Sequence, residues 1–131
     1  MQAIMRIVIV AALVLGLAGC YHIIKMPDIA TASIYGPEIS GGTLSPQEVA
    51  SLSSWMKAHN AGWRGLMASL PAPVAMAVVM RTQDGRQTTL NLFEAKDGAA
   101  TAYLFQPSPT LPRERDLSKA DVIALRAAVG K

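Results

Sequence analysis

A chain of 131 residues with a net charge of +3, one cysteine and 5% aromatic residues has room for a single small domain with one modest core. So small a charge argues against nucleic acid and against strong attraction to anionic lipid, and the sequence pI of 9.3 mainly reflects how few charged groups there are. A lone cysteine excludes an internal disulfide framework.

The chain opens with a short start whose only charge is Arg6, followed by the unbroken apolar run Ile7 to Leu15 and then by Gly16-Leu17-Ala18-Gly19-Cys20. This is the layout of a secretory signal peptide. A spanning helix needs about 20 apolar residues, and Ile7 to Ala18, punctuated by Gly16, is roughly 12. A buried amphipathic helix would carry one apolar stripe, whereas this segment is apolar all round. The segment Leu17-Ala18-Gly19-Cys20 resembles the lipobox of bacterial lipoproteins. The resemblance covers the first twenty residues and implies cleavage between Gly19 and Cys20, thioether lipidation of Cys20 and acylation of the new amino terminus. It also implies a membrane partner reached through that lipid. Tyr21, rather than Asp, follows the cysteine, which in a cell with two membranes implies the inner leaflet of the outer membrane, with the domain facing the periplasm. Residues 1–19 would then be removed, leaving 112 residues and no free thiol for a nucleophile or a sulfur-bound metal.

From Tyr21 to Thr43 the chain carries Pro27, Gly36, Pro37 and the pair Gly41-Gly42, all turn residues. Residues 20–43 are expected as lipidated terminus and tether, partly docked. Tyr21 to about Asp28 would be free tether, reaching at most ~25 to 30 Å. Ile29 to Ile39 would be irregular or short extended chain laid on the domain through Ile34 and Tyr35. The globular domain is expected over 44–131.

Leu44-Ser45-Pro46-Gln47-Glu48-Val49 predicts a helix start, with Ser45 as cap, Pro46 at the first helical position and Glu48 returning a bond to the cap. Val49, Leu52, Met56, His59 and Trp63 recur at helical spacing, and the helix should close near Asn60 to Gly62. Val74 to Thr82 and Gln87 to Glu94 read as strands around the turn Gln83-Asp84-Gly85-Arg86, and Lys96-Asp97-Gly98 leads to a third strand, Thr101 to Phe105. Gln106 to Asp116, with three prolines, reads as a surface connection. Leu117-Ser118-Lys119-Ala120-Asp121-Val122 then repeats the capping solution, with Val122, Leu125 and Val129 as the buried stripe and Gly130 as the stop. The expected fold is α+β: a two-layer α-β-β-β-α arrangement in which a three-stranded antiparallel meander is packed by two helices.

Catalytic chemistry is sparse. His22 lies beside the lipid, and His59 rides the apolar face of the first helix without a ligand partner at metal spacing, so no metal or cofactor is expected. Ser69 and Ser108 lack a nucleophile-elbow context, and the carboxylates have capping, turn or surface explanations. No catalytic residue is named. Trp55, Trp63 and Arg64 around the end of the first helix, and Arg113 and Arg115 in the proline-rich connection, form the candidate interaction surface, since Trp and Arg most often anchor interfaces. Both indoles could equally fill the core. The expected function is a non-catalytic accessory, scaffold or binding lipoprotein with an envelope protein as partner. A periplasmic inhibitor or immunity-type protein that uses the 106–116 segment is the alternative, and a small hydrolase built on His59 is the third.

Overall fold

The computed structural model describes residues 21–66 and 74–131. The leader with its Leu17-Ala18-Gly19-Cys20 segment, and Ser69, lie outside them. The described chain runs β1 (Ile29–Gly36), β2 (Ile39–Thr43), α1 (Pro46–Ala58), β3 (Arg64–Gly65), β4 (Met76–Thr82), β5 (Gln87–Glu94), β6 (Ala100–Phe105), β7 (Arg113–Leu117) and α2 (Lys119–Ala128). The strands form one seven-stranded sheet in the order β2-β1-β4-β5-β6-β7-β3, every neighbouring pair antiparallel.

The expected three-stranded meander is therefore corrected: β4, β5 and β6 are only the centre of a wider sheet. Two segments read as irregular chain supply the rest. The β1–β2 hairpin replaces the docked stretch from Ile29 to Ile39. Its alternation is broken by a register shift between Ile29 and Thr31, which moves the buried set from Ile29 to Ala32 and Ile34 and erases the period of two. Gly41 and Gly42 weaken β2, and an edge strand tolerates this. At the other side, Arg113–Leu117 is strand β7 rather than the end of a loop, so the proline-rich connection shrinks to residues 106–112. The domain thus starts well before residue 44. His22 forms a β-bridge with Trp63, Ile24 is buried, and the stretch expected as tether lies along the domain.

Both helices begin as their sequences require. Ser45 Oγ accepts from Glu48 N at 3.1 Å while Glu48 Oε1 accepts from Ser45 N at 2.8 Å, and Ser118 and Asp121 make the same reciprocal pair at 3.1 and 3.0 Å. Gly130, at φ +76°, ends α2 in the left-handed region that glycine occupies without strain. The helices contact each other and the sheet, α1 over β1 and α2 over β7. Cross-strand registers Val78–Leu90–Leu104 and Met76–Leu92–Ala102 put one apolar layer beneath them. Arg126 reaches from α2 to Glu94 at the end of β5, with Nε at 2.9 Å.

Because Ile34 is buried in the sheet and Tyr35 on the next residue is exposed, Ile34→Ala should cost about 2 to 5 kcal/mol of unfolding free energy. Tyr35→Ala should cost under about 1 kcal/mol. Chemical denaturation of the two variants measures the difference, and equal small losses would return this stretch to a loosely docked strap.

Candidate functional site

The end of α1 gathers the two indoles and the histidine. Trp55 stacks on His59 with ring centroids 4.1 Å apart, and its Nε1–H donates to the Asp121 carbonyl at 3.2 Å. Trp63 is completely buried, its Nε1–H donating to the His59 carbonyl at 2.7 Å. Both indoles of the expected interaction surface are core residues whose polar tips are satisfied from within, as buried indoles require.

His59 is held at both ring nitrogens, Nδ1 lying 2.8 Å from the Trp55 carbonyl and Nε2 3.0 Å from Asp121 Oδ1. Both partners, a carbonyl and a carboxylate, are acceptors, so each contact calls on an N–H of the ring. Asp121 is engaged on both oxygens, since Oδ2 closes the α2 capping box. Burial pushes the Asp121 carboxyl up, but the hydrogen bonds from His59 and Ser118 outweigh it and hold the group below its usual value. In a nucleophilic triad the imidazole bonds its acid through one nitrogen and keeps the other for a hydroxyl. Here that second nitrogen is spent on main chain, so the pair locks two helices together and has no free base to offer.

The second cluster lies where β3 meets β7. Arg64 is opposite Glu114 in the register; its Nε is 3.2 Å from Glu114 Oε1 and its Nη2 3.2 Å from Asp116 Oδ1. Glu114 is 5% exposed, and beside it the Tyr103 ring meets Phe93 edge-on at 5.0 Å. Burial pushes the Tyr103 hydroxyl up, and the negative charge of Glu114 adds to this. Burial disfavours the charged Arg64 guanidinium, yet Asp116 and Glu114 together raise it above its ordinary value. Arg64 is thus committed to two carboxylates. Arg115 donates to the Ala61 carbonyl across the turn before β3. Arg113 carries a buried Nη1 without a hydrogen-bond partner.

Of the five residues expected to form one surface, Trp55 and Trp63 are in the core, Arg64 is in an ion-pair network, Arg115 braces a loop, and Arg113 is half-buried in β7. The sequence reading missed Asp121 as the partner of His59 and Glu114 as a buried acid. Nothing local signals either pair: 62 residues separate the first and 50 the second. Ser108 lies in the 106–112 connection, where its carbonyl accepts from Arg86 Nη2 at 2.8 Å. Among the described residues, no group of three or more His, Cys, Asp or Glu is placed to hold a metal ion. No described helix is long and apolar enough to cross a membrane. No family model, curated protein or solved structure matches the chain, so none lends it a family.

Removing Arg64 strands a buried carboxylate, so Arg64→Ala should cost about 2 to 4 kcal/mol. Asp116→Ala should cost under about 1 kcal/mol, because that side chain is 72% exposed. Denaturation curves check the ordering, and equal costs would deny Glu114 its part. For Asp121, a lowered folded value means that its contribution is complete above the unfolded carboxyl range and fades as pH falls through the folded value. Asp121→Ala should therefore destabilise the domain at neutral pH, with the gap from wild type closing only in strong acid. A gap that is constant with pH would show that the carboxylate charge contributes nothing.

Proposed function

We propose that the protein is a lipid-anchored envelope lipoprotein, lipidated on Cys20 after cleavage behind Gly19, and that its domain serves a non-catalytic accessory or scaffold role toward an envelope protein. The observation that carries this reading is the segment Leu17-Ala18-Gly19-Cys20 directly behind the apolar run Ile7 to Leu15. Tyr21 after the cysteine directs the protein to the inner leaflet of the outer membrane in a cell with two membranes. The scaffold part is supported by how the chemically competent groups are used. His59, Asp121, Arg64 and Glu114 each spend their polar atoms on holding helices and strands in place. The segment on which the inhibitor reading rests is shortened to residues 106–112, since Arg113 to Asp116 is paired strand.

Mass spectrometry of the amino-terminal peptide tests the anchor. The wild-type chain should begin at an acylated Cys20 and sediment with membranes, whereas Cys20→Ser should lose the acyl mass and the cut behind Gly19. An acylated, membrane-bound Cys20→Ser protein, or a wild-type chain that keeps Met1 in the soluble fraction, would sink the proposal. Crosslinking in intact envelopes tests the scaffold role, which requires one dominant protein partner.

A further inference from the structure

The first described residues lie against the domain with almost no slack. His22 N donates to the Trp63 carbonyl at 2.6 Å, Trp63 N donates back to His22 at 3.3 Å, and Ile24 N donates to the Asn60 carbonyl at 2.8 Å. Trp63 is itself immobilised, buried on all sides and bonded to His59. Between this clamp and the sulfur of Cys20 there are only two residue steps, which span at most about 7 Å. A headgroup layer is roughly 5 to 7 Å deep on each side of the hydrocarbon core. Acyl chains on Cys20 would therefore bring the clamp itself to the headgroups.

The side chains beside the clamp suit that depth. Ile24 is buried and Met26 half-buried, while Tyr21, at 54% exposed, Ile23, at 66%, and Lys25 project outward. An aromatic, an aliphatic and a cationic residue at alternate positions make a stripe of interfacial character. The same end of the sheet carries the β6–β7 connection with exposed Leu111, and Gln106 Nε2 ties that connection to the Lys25 carbonyl at 2.8 Å. Of the five exposed large apolar residues among the described residues, two thus lie within three residues of Cys20 and a third lies on the connection tied to Lys25.

We propose that the domain is seated directly on the bilayer, with Tyr21, Ile23 and Lys25 entering the interface of the leaflet that holds the Cys20 acyl chains. The surface has no tether, and the domain has one fixed orientation. The inference rests on the lipoprotein reading above. The turns after Gly36 and Glu94, at the opposite end of the sheet, then point away from the membrane and are the parts presented to a partner.

The test uses the full lipidated chain in vesicles of phosphatidylethanolamine and phosphatidylglycerol. The Cys20 thiol is consumed as thioether, so Ile23→Cys and, as control, Ile123→Cys on the exposed face of α2 each give a single site for a nitroxide label. The ratio of oxygen to nickel-chelate accessibility should be at least about threefold higher at 23 than at 123, as expected for a residue in the interface. Equal ratios at both sites on a protein whose amino-terminal peptide carries the acyl mass would overturn the seating while leaving the anchor intact. An unacylated peptide would overturn the anchor and the seating with it.

Discussion

Burial of Trp63 is the constraint on which the rest of the structure depends. Its indole is fully enclosed and its N–H holds the last carbonyl of α1, so the helix terminus and the strand that follows cannot move independently. Its main chain pairs with His22 and so fastens the amino-terminal segment. The next residue, Arg64, pairs with Glu114 and Asp116 and fastens the edge of the sheet. One large apolar side chain thus joins a helix, a strand pair and the start of the domain, and the burial of an indole is among the largest single contributions a small core can make.

The polar groups follow from that geometry. A domain of this size encloses few charges, and an enclosed charge is tolerable only when paired. Glu114 sits on an interior position of β7 because Arg64 reaches it from β3, and the pair needs edge strand β3 in register with β7. Asp121 closes the α2 cap and holds His59 at the end of α1, so a capping residue also serves as the bolt between the two helices. Both arrangements turn groups that could have served chemistry into fasteners.

What the sequence disclosed was local. Ser45 with Glu48 and Ser118 with Asp121 announce helix starts because the cap and its return bond are three residues apart. Asp84-Gly85 announces a hairpin because Gly85, at φ +81°, takes a backbone conformation that few residues accept. Asp97-Gly98, with Gly98 at φ +88°, marks the turn into β6 in the same way, whereas the other strands have no such local mark. Arg113 to Leu117 alternates, but between charges of opposite sign rather than between apolar and polar residues; the period of two was present without the hydrophobicity that makes it readable. The bulge in β1 destroyed the period outright. His59 with Asp121 and Arg64 with Glu114 are products of the completed fold, and no window short enough to read from sequence contains either pair.

The amino-terminal segment illustrates how a wrong local reading can hide a functional constraint. Prolines and glycines between Cys20 and Leu44 read as turns, and Tyr21 to about Asp28 reads as flexible spacer because such short, punctuated chain in isolation wanders, whereas the isoleucines argue for partial docking. Main-chain bonds at His22 and Ile24, and pairing from Ile29 onward, remove that freedom. A spacer would decouple a domain from the proposed anchor, whereas a segment bonded from His22 onward would transmit the anchor's position to the whole sheet. Exposed Tyr21 and Ile23 are costly beside water and useful beside lipid headgroups, and a seated domain resolves that conflict without any further residue. The clamp at Trp63 holds the fold together and, on the proposed anchor, would also set which surface faces the membrane.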